Sequence, residues 1–351
     1  MTNFTLTELL TLYDLVATRM RAKWYEGRGA RNGVSTVDAF FMMLTVLKHY
    51  QSWEKHAVDF NIRAPTFQKL MKKTMATVEP QLFNVFVRVP TMTSLRENNA
   101  TFSSYPYALY ATDVKFQPCE RPSGRFNEKK EFFSGKHKLY GLKIEASVSP
   151  EGYCVDLSDH HPGATADISI FRKRLPVHQD TLLKTENEML VTDNGELWNT
   201  YQSMWAVLVD KGYYGLSKEL RAIHPTKERR NEHLELSEVE RNKNISSDRV
   251  IVENFFGRVC MLWKVSYATF VWGHDMYSMI QRLTFALTNF HVSLLPLRDG
   301  DAAWYRSVLA RYEHMAYENG KKKAEIQRRA RIRRNERVAL SRTRSSRVGR
   351  Q

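Results

Sequence analysis

The chain has 351 residues, 42% hydrophobic and 12% aromatic, enough apolar material for a sizeable core and too much for a mostly disordered chain. The formal net charge is +15, but residues 321–351 hold 13 Lys/Arg against two acids, so +11 sits in that tail and the first 320 residues carry only +4. A polyanionic partner is indicated, nucleic acid first, with a merely solvated tail as the plain alternative.

No stretch approaches the ~20 uninterrupted apolar residues of a membrane helix, and "MTNFTLTELLTLYDL" lacks the pattern of a secretory leader. Cys119, Cys154 and Cys260 are far apart and unpaired in zinc-like spacing, which suits a reducing compartment.

In chain order, residues 1–95 read as a helical N-terminal region. "STVDAFFMMLTVLKHY" opens on a Ser/Thr cap and spaces Val37, Phe40, Phe41, Leu44 and Leu47 helically. "WEKHAVDFNIRAPTFQKLMKKTM" breaks at Ala64–Pro65, with Pro65 suited to the first turn of a second helix. That pair is helix-turn-helix-like and would turn Gln68, Lys69, Lys72 and Lys73 toward DNA; a purely structural helical cap fits the same residues.

From about residue 105 the pattern changes. "YPYALYATDVKFQP", "GKHKLYGLKIEASV" and "EGYCVDLSDH" favour strands with a turn at 149–152, and a helix opens near "PGATADISIFRKRL". "EMLVTD" and "WAVLVD" read as further strands. A polar stretch crosses 224–248, and "SSDRVIVENFFGRVCMLW" reads as a helix capped at Ser246 or Ser247. Strands followed by helices in this order predict a mixed α/β sheet with flanking helices over 96–300. Residues 301–351 read as a helical basic C-terminal tail, with Arg328, Arg329, Arg331, Arg333 and Arg334 as phosphate contacts.

Three acids stand in awkward surroundings. Asp113 lies inside the strand-like "LYATDVKF", Asp210 ends "WAVLVD", and Glu253 interrupts the apolar "VIVENFF". Unpaired carboxylates are costly in such places unless cations neutralise them, and Mg²⁺ prefers hard oxygen ligands. Taken singly, each has a bland reading: a strand-edge acid, a turn residue, and a salt bridge from Glu253 to Arg249 or Arg258. Their Asp, Asp, Glu order is what invites comparison.

"RVIVENFFG" (249–257) resembles the closing motif of the DDE superfamily endonucleases related to PIF/Harbinger transposases, in which an Arg stands four positions before the Glu and Phe-Gly follows it. "VLVDKGYYG" is similar to the second-Asp motif of that family, and "ATDVKFQP" with "FFSGKHKLYGLKIEASVSPEG" to the first-Asp strand and the strands after it. "HPGATADISIF" resembles the family's Pro-Gly-x-x-x-Asp segment, and Asn242 sits where an Asn often precedes the final helix. The resemblance implies an RNase H-like fold with Asp113, Asp210 and Glu253 as catalytic, metal-binding carboxylates for Mg²⁺ or Mn²⁺.

By the same resemblance, the activity is cut-and-paste transposition of DNA: strand nicking, then attack of the freed 3′-hydroxyl on target DNA. A separate Myb-like DNA-binding partner, a homo-oligomer and a nuclear location are expected, the last also on the "KKK" and "RRARIRR" runs. Gly212 would let the chain bend away from Asp210 while Tyr213 and Tyr214 anchor the turn. Val114 departs from the Gly that often follows the first Asp. Asp193 is a rival for the second position, within a 97-residue Asp113–Asp210 interval. Asp167 suits a helix N-terminus, and His160 and His161 are not assigned as zinc ligands. The alternatives are a domesticated, non-catalytic DNA- or protein-binding module and a nuclease for RNA–DNA hybrids.

Overall fold

The computed structural model describes residues 1–24, 26, 33–123, 125–228 and 233–348. Its centre is a six-stranded mixed sheet of β1 (Ala108–Pro118), β2 (Gly141–Val148), β3 (Cys154–Leu157), β4 (His161–Pro162), β5 (Ala206–Leu208) and β6 (Ala222–Ile223). The order is β3-β2-β1-β5-β6, with β4 on β2. β1, β2 and β3 form an antiparallel meander, whereas β1, β5 and β6 run parallel. This is a mixed α/β sheet of RNase H-like type, as expected.

Strand alternation sorts two cores. Ala206 and Leu208 face one layer, and Val207 and Val209 the other. The first layer holds α9 (Leu236–Leu262), α10 (Tyr277–Leu294), the start of α11 (Asp301–Val348) and the N-terminal helices. The second is covered by α5 (Met92–Glu97), α7 (Asp167–Lys173) and α8 (Leu175–Leu182). The boundary anticipated at 95/96 falls inside α5, whose Met92 and Leu95 are fully buried in the second core.

The N-terminal region consists of α1 (Leu6–Trp24), α2 (Thr36–His49), α3 (Trp53–Asp59) and α4 (Ala64–Phe86). Ser35 caps α2 by accepting from the Asp38 amide, as its sequence position predicts. Pro65 sits in the first turn of α4, but α4 then runs for 23 residues against α1, α2, α3 and α10. The α3–α4 corner is therefore built into a bundle. Lys69 is exposed and Lys72 half-buried, whereas the Lys73 ammonium donates to the carbonyls of Trp24 and Glu26 (3.1 and 3.0 Å). The outward placement expected of Lys73 is thus corrected, because those helix-end carbonyls need a donor.

Other expectations also change. "EMLVTD" forms a single 3₁₀ turn at Glu188–Leu190, where the Glu188 carboxylate accepts from the Met92 and Thr185 amides (2.7 and 3.1 Å). The "GKHK" segment is a turn, and β2 begins only at Gly141. α9 starts ten residues before Ser246, because Glu235 and Glu238 form a capping box. Asn242 consequently lies inside α9, where its amide group accepts from Thr226 N (2.7 Å) and donates to Thr226 O (3.0 Å), pinning the preceding loop.

Candidate active site

Ala111 of β1 and Leu208 of β5 are register partners in the parallel pair. Two residues further along each strand direction, on the same face by the period of two, come Asp113 and Asp210. α9 crosses that face and supplies Arg249 and Glu253, one turn apart and so on one side of the helix. Asp113, Asp210 and Glu253, far apart in sequence, thereby line one cavity of about 700 Å³. Asp167, at the start of α7, lines it too, but its carboxylate is taken by Lys143 at 2.8 Å.

The cations in the cavity are distributed unequally. Arg249 reaches Asp113 at 3.1 Å and Asp210 at 3.3 Å, bridging the two aspartates with one guanidinium. Glu253 pairs with Arg306 of α11 at 3.4 Å. The salt bridges considered for Glu253 on its own helix do not form: Arg249 is turned to the aspartates, and buried Arg258 holds Asp301 at 2.6 Å. Burial pushes the Asp113 carboxyl up to about 6, against the opposing pull of Arg249 and the Val114 amide and with the help of the Asp210 and Asp167 charges. Its side chain is still 27% exposed, so this is burial at the floor of a cleft that opens to solvent.

One wall was not anticipated. α11 begins with a docked segment, whose Tyr305, Arg306, Leu309, Glu313, Ala316 and Tyr317 line the cavity. The residues after Glu253 make this possible. Asn254 accepts from the Ala302 amide at 2.9 Å, and Arg258 binds Asp301 and the carbonyls of Leu295 and Pro296. Gly257 lets α11 approach, since a Cβ there would overlap the Asp301 carbonyl oxygen. Much of the "ENFFGR" motif is thus an attachment for α11. The i, i+4 spacing of Tyr305, Leu309 and Glu313 was a usable sequence signal, outweighed by the basic charge of residues 321–351.

The other residues singled out in the sequence serve other roles, although Val114 also lines the cavity and Gly212 sits beside Asp210. Asp193 is outside the cavity, buried between Lys184 (2.7 Å) and Arg221 (2.5 Å). Burial pushes its carboxyl up, but donors from Arg221, Lys184 and the Gly195 amide outweigh this and hold it at about 2. Tyr213 is buried and anchors the turn after Asp210 as expected, whereas Tyr214 is exposed and does not. The bend falls at Gly215 (φ +90°), not at Gly212. His160 bonds the Ser278 hydroxyl at 2.8 Å, and His161 belongs to β4 beside β2. Arg328, Arg329, Arg331, Arg333 and Arg334 are exposed along the distal part of α11.

For a divalent cation, the donor set fits in kind: three hard carboxylates face one cavity with two guanidiniums among them. Burial raises the Asp113 carboxyl even with Arg249 beside it, so its ionised form is favoured by an added cation. With Arg249 between the aspartates, no three His, Cys, Asp or Glu groups among the described residues converge closely enough to grip one ion.

No curated protein matches the chain. No solved structure matches it either. A family model described as DDE superfamily endonuclease matches residues 112–289, just over half of the chain, from the residue before Asp113 through Asp210 and Glu253 to the last turns of α10. The chain therefore belongs to the DDE superfamily endonucleases.

Proposed function

We propose that the chain is a metal-dependent DNA endonuclease of the PIF/Harbinger transposase type, with Asp113, Asp210 and Glu253 as the carboxylates that hold Mg²⁺ or Mn²⁺. The observation that carries this reading is the convergence of three remote acids on one cavity, where a single guanidinium is shared between the two aspartates. When bound, the metal would supply Lewis-acid polarisation of the scissile phosphodiester and a water of lowered pKa.

The chain's own residues do the rest. β1 and β5 hold Asp113 and Asp210 side by side at a shared register. Arg249 keeps them apposed and screens their repulsion. α11 closes one side of the cavity and ties Glu253 in place through Arg306. Hydrolysis would free a 3′-hydroxyl, which then attacks a target strand, so the chain needs no nucleophile of its own. The basic distal part of α11 would neutralise phosphates without reading sequence.

With Lys73 turned inward, α4 offers few free cations, which supports a separate Myb-like DNA-binding partner. A homo-oligomer belongs to the same proposal, and the basic runs support import into the nucleus.

The test is Mn²⁺-dependent nicking of supercoiled plasmid by the wild type and by Asp113→Ala, Asp210→Ala and Glu253→Ala. Each substitution should lower nicking by more than about a hundredfold, the upper range for losing even an outer-shell partner of a metal site. Wild-type rates in any one variant would remove that residue from the assignment. Deleting residues 321–351 should flatten the salt dependence of DNA binding, which for about 6–10 phosphate contacts is ~10³–10⁵-fold between 50 and 200 mM salt. An unchanged slope would exclude the tail from binding.

A second reading is a non-catalytic, DNA-binding descendant. It is favoured by the Arg249 guanidinium lying between the aspartates, where an ion's charge would be needed. A chain that binds DNA but neither binds Mn²⁺ nor cleaves would establish it.

A further inference from the structure

The cavity contains two more cations, and they are unlike the arginines. Arg249 and Arg306 are held by the three acids. Lys136 and Lys138 line the same cavity, are exposed, and make no salt bridge among the described residues. Of the other acids lining the cavity, Asp167 is already paired with Lys143, and Glu313 of α11 makes no salt bridge to either lysine among the described residues.

Their position is fixed by a stiff turn. Ser134 is buried; its amide donates to Leu139 O (2.9 Å), its carbonyl accepts from Lys138 N (2.8 Å), and its hydroxyl accepts from His137 N (3.2 Å). Between the two lysines, the His137 ring lies flat on Phe116, with centroids 4.2 Å apart and planes 11° apart. Phe116 belongs to β1, the strand that carries Asp113, so the lysines are referenced to the same strand as the first carboxylate.

Lys138 itself has φ +55°, a left-handed backbone that is unfavourable for a lysine. Gly or Asn would make this turn more cheaply, so the turn alone gives no reason for a lysine here. An exposed cation kept at a strained position, in no salt bridge with the cavity's acids among the described residues, is free to meet an anion from outside.

We propose that Lys136 and Lys138 form a phosphate subsite that grips the backbone of the bound DNA strand next to the bond facing Asp113, Asp210 and Glu253. The inference rests on the endonuclease reading of this cavity and adds the residues that hold the substrate there. A polyanionic strand approaching an acidic floor is repelled unless cations meet its non-bridging oxygens. The two lysines are donors of that kind, exposed in the same cavity and held by none of its acids in a salt bridge among the described residues.

The test uses the full-length chain with Lys136→Gln/Lys138→Asn, the asparagine chosen because it tolerates the left-handed backbone. Lys136→Gln alone leaves the turn untouched and serves as the second variant. Binding to a short labelled duplex is followed by anisotropy in EDTA across a salt series, and Mn²⁺ affinity is measured without DNA. The double variant should flatten the plot of log K against log salt by about 1.8, and the single variant by about half of that, at ~0.9 for each duplex phosphate no longer neutralised. Mn²⁺ affinity should not change, and in nicking assays KM should rise more than kcat falls.

Wild-type slopes in both variants would overturn the subsite. A wild-type chain that binds this DNA but never nicks would sink the endonuclease reading while the slopes still decide the subsite. Nicking with unchanged slopes would sink the subsite alone, and absence of any DNA binding would sink both.

Discussion

Asp113 and Asp193 both sit among charged neighbours, yet their environments push them in opposite directions. Asp193 has two cations to itself, Lys184 and Arg221, with a backbone amide added, and its carboxyl is held at about 2. Burial at the floor of the cleft pushes the Asp113 carboxyl up to about 6, and the one guanidinium it shares with Asp210 does not offset this. A surplus of cations makes an acid into a structural fastening. A buried acid that shares its cation leaves a site that costs folding stability and stays receptive to an added cation.

The largest effect that can break this contrast comes from the fastening. Asp193→Ala leaves Lys184 and Arg221 buried without a counter-charge and should cost about 3–5 kcal/mol in urea unfolding. A loss below about 1 kcal/mol would mean that the cluster is not a fastening. Asp113→Asn should do the reverse, raising stability in metal-free buffer by roughly 1–3 kcal/mol, since a carboxyl raised by about two pKa units is ionised at some cost at neutral pH. A clear loss of stability would show that Arg249 already compensates it fully.

The sign with pH comes from the same contrast. A carboxyl held below its unfolded value contributes stability above about pH 4 and loses it as pH falls toward 2. Asp193→Asn should therefore unfold with a weaker dependence on pH across about 4 to 2 than the wild type. Identical profiles would contradict the shift. A smaller effect is expected at the wall: Gly257→Ala forces α11 away from α9 and should cost about 1–3 kcal/mol, the range for overpacking, with faster proteolysis after residue 301. Unchanged proteolysis would show that the helices separate freely.

How much of this was legible in the sequence depended on whether the signal was local. β1 and β5 could be located because one β-branched and aromatic run contains Asp113 and another ends at Asp210, and the period of two then sets both acids on the α9 face. The start of α9 was missed because its cap is Glu235, an acid that does not stand out as Ser or Asp does. "EMLVTD" was misread because Glu188 accepts backbone amides of α5, a tertiary contact that no local pattern carries. The basic charge of residues 321–351 masked the amphipathic segment before it, so α11 was expected as a tail and not as a cavity wall. That Arg249 bridges two strands, and does not pair along its own helix, could only be learned in three dimensions.

The central claim is that Asp113, Asp210 and Glu253 are the acids of a cation site. Calorimetric titration of Mn²⁺ into the full chain tests it most directly, with Asp113→Asn, Asp210→Asn and Glu253→Gln beside the wild type. Saturable binding in the wild type, weakened at least about tenfold by each substitution, is the predicted result. No binding in the wild type, or binding that survives all three changes, would contradict it.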